Sequence, residues 1–143
     1  MELSYEIQDL GAKGKGIISK QFVKAGDLIY TLSKDKDIIS VIDYNLEEYL
    51  RNVPDVLDCL SHGFCSGGKF IDLSESPARF TNHSFDPSSK YLMDQEISIA
   101  LRDIHPGDEI TENYWDYALP TNYDRLMKQH VHGNFRDQSV NWH

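Results

Sequence analysis

The sequence predicts a mainly β, α+β fold of small β-sheets with two short helices. Three observations lead there. Short runs of β-branched and aromatic residues recur along the chain, runs with helical periodicity are scarce, and glycine-bearing turns introduce apolar segments.

The elements follow in order. Gly11-Ala12-Lys13-Gly14-Lys15-Gly16 precedes Ile17-Ile18, and three glycines in six residues permit positive φ and close approach to the backbone. This segment fits a hairpin turn or a loop against a nucleotide-like ligand. It lacks the Lys-Ser/Thr ending of a phosphate loop, and no helix is predicted after it. Residues 28–32 and 38–42 read as strands, 70–73 as a shorter one, and 96–102 alternates with period two. Val23-Lys24-Ala25-Gly26-Asp27-Leu28-Ile29 and Ile104-His105-Pro106-Gly107-Asp108-Glu109-Ile110 share one turn pattern, which predicts positive φ at Gly26 and Gly107. Asn45 with Glu48 suggests a capping box, followed by the apolar stripe Leu46, Tyr49, Leu50 and Val53, ending near Pro54. A second helix is predicted from Thr121 or Asn122, with Tyr123, Leu126, Met127 and Val131 as its buried face and Gly133 as its stop.

The 143 residues read as one domain, because no Pro/Ser-rich linker or low-complexity run divides them. A net charge of −9 disfavours nucleic acid as a direct partner, since phosphate binding needs clustered Lys and Arg. An acidic surface aids solubility and also suits a basic partner. No run approaches the roughly 20 apolar residues that span a bilayer. Met1-Glu2-Leu3-Ser4 lacks the opening of a secretory signal. Two cysteines, Cys59 and Cys65, are too few for a disulfide scaffold, so an intracellular location, cytoplasmic or nuclear, is expected.

Cys59, His62 and Cys65 group two thiols and an imidazole, but a second ligand pair is missing and no metal centre is expected. A Cys65–His83 nucleophile pair matches no local hydrolase signature. Asn82-His83-Ser84 offers donors and acceptors side by side, for a ligand or for a turn before Pro87. In Tyr114-Trp115-Asp116-Tyr117 a phenol can orient a nucleophile, and rings can wall a channel for an alkyl-ammonium chain or pack in a core.

In this order the motifs resemble the SET-domain family of protein-lysine methyltransferases. Gly14-Lys15-Gly16-Ile17 is similar to the family's Gly-x-Gly, and Phe70-Ile71-Asp72 to the strand upstream of its cofactor motif. Arg79-Phe80-Thr81-Asn82-His83-Ser84 is similar to its Arg-Phe-x-Asn-His-Ser signature, and Glu109-Ile110-Thr111 with Tyr114 to its Glu-Leu-Thr-x-x-Tyr block. The resemblance covers about 11–117, leaving 118–143 as a helical C-terminal segment.

The resemblance implies a pseudoknot that brings Asn82-His83 beside Tyr114. It implies S-adenosyl-L-methionine as methyl donor and a lysine of a protein, such as a histone, as acceptor. Tyr114 is implied as the catalytic phenol. Gly14, Lys15, Gly16, Arg79, Phe80, Asn82, His83 and Tyr114 are implied as cofactor contacts, and Phe64, Glu112, Trp115 and Tyr117 as channel walls. The chain departs from many relatives at Phe85 (Cys), Ser88 (Asn) and Asn113 (Asp). Glu112 stands where an aromatic or aliphatic residue is usual. Residues 1–143 carry no cysteine-rich segment like the zinc-binding flanks of many relatives. A SET-fold binding or scaffold module without catalysis is the alternative.

Overall fold

The structure, a computed structural model, describes residues 3–66 and 68–117. The helix predicted from Thr121 and the tail to Trp142 lie outside the described residues.

Among the described residues, ten strands form three small sheets. The first sheet contains β1 (Tyr5–Asp9), β2 (Lys15–Ser19), β10 (Glu109–Glu112) and β7 (Asn82–His83), in the order β1-β2-β10-β7. The second has β3 (Leu28–Thr31), β9 (Ile97–Ala100) and β8 (Ser89–Leu92). The third has β4 (Ile39–Ile42), β6 (Lys69–Asp72) and β5 (Phe64–Ser66). Helices α1 (Leu46–Leu50) and α2 (Val56–His62) lie between β4 and β5 in the chain.

The predicted strands form, each within a residue or two of its expected bounds. The glycine segment is the turn of the β1–β2 hairpin, with Gly11 at φ 75° and Gly14 at φ 76°. Gly26 and Gly107 take the expected positive φ, at 90° and 96°. The two echoing turns also meet. Val23 and Ile104 exchange backbone hydrogen bonds at 2.8 Å in both directions. Gly107 N–H then donates to Ser19 at the end of β2, and Gly26 N–H to Ala100 at the end of β9. The shared turn pattern thus joins the first sheet to the second.

Strand β6 shows how one sheet serves two cores. Successive side chains point to opposite faces. Phe70 faces the helices and packs with Leu46, Leu50, Cys59, Leu60 and Cys65. Ile71 faces the main core with Ile17, Ile29, Ile104 and Ile110. Fully burying such an isoleucine contributes roughly 1.5–3 kcal/mol. Cys59 and Cys65 are buried and form no disulfide. Burial first, then the Asp72 carboxylate, pushes the Cys59 thiol up to about 12, so it is not a thiolate at neutral pH.

One expectation is corrected and one element is new. Asn45 does not cap α1 through its side chain, because it closes a 3-10 turn (Asp43–Asn45) at ψ 2° and not in the extended geometry a cap needs. Helix α2 was not anticipated. Asp55 caps it by accepting from Asp58 N–H at 3.0 Å, and Val56, Cys59 and Leu60 give the i, i+3, i+4 spacing.

Candidate active site

The two signature stretches meet on one parallel strand pair. Thr111 is in register with Asn82 and Glu112 with His83. Among the named strands this is the one parallel pairing described. Buried serines secure β10 from its other side. Ser88 N–H donates to Thr111 Oγ1 at 3.0 Å, Ser88 Oγ to the Glu109 carbonyl at 2.9 Å, and Ser89 Oγ to the Thr111 carbonyl at 2.8 Å. Ser84 N–H continues the pairing to the Glu112 carbonyl at 2.9 Å.

The glycine turn is stitched to the same pair. Asn82 Nδ2 donates to the Lys15 carbonyl at 3.1 Å and to Glu109 Oε2 at 2.8 Å. Lys13 Nζ meets the other Glu109 oxygen at 2.5 Å. A Cβ on Gly16 would stand 3.0 Å from Asn82 Nδ2 and 2.4 Å from Leu10 Cδ1, so glycine is what lets these groups close on one another. Lys15 Nζ lies 5.7 Å from the Phe80 ring centroid, and the Arg79 guanidinium 5.1 Å from it. Arg79 faces α2, donating to the Ser74 carbonyl at 3.1 Å and pairing with Asp58.

His83 is 1 % exposed and receives the Tyr114 N–H on Nδ1 at 3.1 Å. That bond leaves Nδ1 without a proton. Tyr114 Oη donates to the Thr81 carbonyl at 2.7 Å. Burial first, then the Glu112 and Glu109 carboxylates, drives the Tyr114 phenol far above its ordinary value. It therefore acts as a neutral hydrogen-bond donor and not as a base near pH 7.

The residues expected to wall a channel fall into two groups. The ring of Phe64 is 4.6 Å from that of Tyr117 and 5.1 Å from that of Tyr91, and Tyr91 stacks on Tyr117 and on Tyr30. Glu112 acts electrostatically on both Tyr30 and Tyr91. Trp115 belongs elsewhere. It is 41 % exposed and packs against His83 and Phe85. Sequence reasoning missed Lys13, Tyr30, Tyr91, Ser98 and Glu109. Tyr30 sits on a predicted strand and Glu109 inside a quoted motif, but partners from distant strands give them their surroundings.

A cavity of about 600 Å³ opens beside this junction, lined by Lys13, His83, Ser84, Arg102, Asp108 and Glu109 among others. Among the described residues no group of three or more His, Cys, Asp or Glu side chains is arranged to hold a metal, and no helix is long and apolar enough to cross a membrane.

Small sheets joined by a parallel pair that unites an Asn-His turn with a tyrosine-ended strand define a SET-type architecture. The SET-domain family model matches residues 14–115, most of the chain, and the protein belongs to that family. The fold is similar to that of DIM-5, a Neurospora SET-domain histone lysine methyltransferase. There the TM-score is 0.61 at 17% identity, over 79% of this chain and 52% of that one. It is also similar to part of ctPRC2, described in an autoinhibited conformation bound to S-adenosylmethionine, with TM-score 0.61, 18% identity, and coverage of 90% and 17%. The methyltransferase domain of human SETMAR gives TM-score 0.59, 14% identity, and coverage of 81% and 46%. The chain thus spans about half or less of the length of these three neighbours. No curated protein sequence matches it significantly.

Proposed function

We propose that the protein is an S-adenosyl-L-methionine-dependent protein-lysine N-methyltransferase acting on a lysine of a basic protein such as a histone. One observation carries this reading. The register of Asn82-His83 against Thr111-Glu112 assembles the glycine turn, the Asn-His pair and Tyr114 at one place. Membership of the SET family and the solved neighbours support it.

The residues present suit the cofactor. A cavity of small-molecule size with basic and acidic walls lies beside them, and of the residues assigned to the cofactor His83 lines it. Gly14, at φ 76°, has open space around its Cα, which leaves backbone groups accessible. Gly14, Lys15, Gly16, Asn82 and His83 would hold the cofactor, mainly through backbone, while the Phe80 ring lies beside Lys15 and Arg79 packs on that ring. When bound, the cofactor supplies an electrophilic methyl group, to which a neutral amine gives its lone pair as the carbon–sulfur pair returns to sulfur.

The chain's own task is alignment and exclusion of water. Tyr114, fixed by His83 and Thr81, has its one O–H committed to the Thr81 carbonyl, so toward the amine it offers a rigid, neutral acceptor oxygen. Phe64 and Tyr117 contribute apolar walls for the lysine stem, and Trp115 lies on the outer, half-exposed side with Phe85. The chain's charge of −9 favours encounter with a lysine-rich partner.

Methyl transfer to an array of peptides and proteins, read by mass, tests the proposal together with calorimetry of S-adenosylmethionine. Cofactor binding and methylated lysine are expected. A folded protein that does not bind the cofactor would be a binding or scaffold module instead.

A further inference from the structure

Glu112 is 5 % exposed at the end of β10, opposite His83. Ser98 Oγ donates to its Oε1 across a long 3.5 Å. Among the described residues no lysine, arginine or histidine forms an ion pair with it. A carboxyl buried without a cation is costly, and the cost persists where a site awaits one.

The groups that act on Glu112 come from every side. Tyr30 is on β3, Tyr91 on β8, Ser98 on β9, and Tyr114 and Asp116 in the 3-10 turn after β10. His83 faces it across the strand pair with Nδ1 already used as an acceptor. None of the tyrosines or Asp116 can carry positive charge. Burial raises all three phenols, so none serves as a base near neutrality. Around them, Tyr30, Phe64, Tyr91 and Tyr117 form a continuous set of rings at centroid distances of 4.6 to 6.3 Å. Rings with one carboxyl among them attract an ammonium and then hold it away from water.

We propose that Glu112 is the proton acceptor for the substrate lysine, taking the ammonium proton while the rings of Tyr30, Phe64, Tyr91 and Tyr117 keep the amine beside it. This deepens the methyltransferase reading and rests on it. The proton balance is closed. In the empty site at pH 7, burial keeps Glu112 mainly as the neutral acid, its pKa raised to about 8. Entry of the ammonium displaces that proton to water. The N–H bond then breaks and an O–H bond forms on the carboxylate, leaving a neutral acid beside a neutral amine. The methylated product departs as a cation with Glu112 still protonated. One proton leaves per cycle, at the binding step.

The test uses n-butylamine hydrochloride as a lysine side-chain probe and protein labelled with ¹³C at glutamate carboxyls. In the wild type, one carboxyl should titrate near pH 8 and shift to lower pH with the amine. Calorimetry in buffers of different ionisation heat at pH 7 should give release of about one proton per amine bound. Glu112→Gln should abolish both signals and reduce methyl transfer on the order of a hundredfold at pH 8. Ser98→Ala removes a contact that favours the carboxylate, so the titration and the rising limb of the rate profile should both move to higher pH. A purely structural Ser98 would move neither. No response of the Glu112 carboxyl to the amine up to its solubility limit, or an unchanged pH–rate profile in Glu112→Gln, overturns the proposal. Wild-type protein that methylates lysine while giving either result removes this inference alone. Wild-type protein that neither binds S-adenosylmethionine nor transfers methyl removes the reading beneath it as well.

Discussion

Gly14 and Gly16 belong to one motif but are glycine for different physical reasons, and a small set of variants separates them. At Gly16 an added Cβ would meet Leu10 Cδ1 at 2.4 Å, Glu109 Oε2 at 2.9 Å and Asn82 Nδ2 at 3.0 Å. Ordinary carbon contacts are about 3.5–4.0 Å, so something must move by about 1 Å. Overpacking of this kind costs roughly 1–3 kcal/mol. Weakening the Asn82–Glu109 hydrogen bond, which has a charged acceptor, adds about 1 kcal/mol. A total near 3 kcal/mol lowers Tm by roughly 6–12 °C in a chain of this size. At Gly14 nothing lies within 4 Å of the added Cβ, but φ 76° with ψ −138° is glycine backbone, and alanine there costs roughly 1–3 kcal/mol through strain. Leu10 is the movable wall. Leu10→Ala should therefore recover about 1 kcal/mol or more of the Gly16→Ala loss and none of the Gly14→Ala loss. Urea unfolding of the three single and two double variants against wild type measures this. Strict additivity of Leu10→Ala with Gly16→Ala would refute the steric account.

Tyr114→Phe removes the hydroxyl that donates to Thr81 and should cut turnover by tenfold or more, while cofactor affinity by calorimetry stays within about twofold. Asn82→Ala loses both the Lys15 and Glu109 bonds and should weaken cofactor binding by roughly tenfold, with a Tm loss that circular dichroism detects. Glu112 also sets a pH dependence of stability. Its folded pKa of about 8 lies above the ordinary 4.5, so its contribution is full below about 4.5 and is lost as pH rises to about 8. Glu112→Gln should flatten this loss, gaining a few kcal/mol on wild type between pH 5 and pH 9 in urea titrations; parallel curves would contradict it.

The strands were legible because each carries its own pattern. The alternation around Ile97 to Ala100 and the turn glycines at positive φ need no distant partner to be read. Helix α2 was equally legible in principle. Asp55 before Val56, Cys59 and Leu60 is a capped amphipathic turn, but those residues also spell a cysteine–histidine cluster, and the chemical reading obscured the structural one. Strand β1 escaped because four of its five residues are at least largely exposed and only its pairing with β2 makes it a strand. The meeting of Asn82-His83 with Tyr114 was legible only through resemblance. Nothing in either stretch encodes a parallel pairing across 29 residues, as in Thr111 with Asn82.

The same division explains why Glu112 looked ambiguous. In a strand, its neighbours in sequence say only that it alternates with Thr111 and Asn113. Whether a carboxyl there meets water, a lysine or a closed aromatic wall depends on β3, β8 and β9, which begin 15 to 84 residues earlier. Once those strands are in place, solvent exposure is excluded, and among the described residues no basic side chain is paired with it. A residue that lowers stability as pH rises from about 4.5 to about 8 and acts electrostatically on the tyrosine of the candidate active site is hard to explain as packing, because glutamine or leucine would fill the space at less cost. The carboxyl makes physical sense if a cation completes it. On the proposed methyltransferase reading, the substrate's own ammonium is the cation that fits.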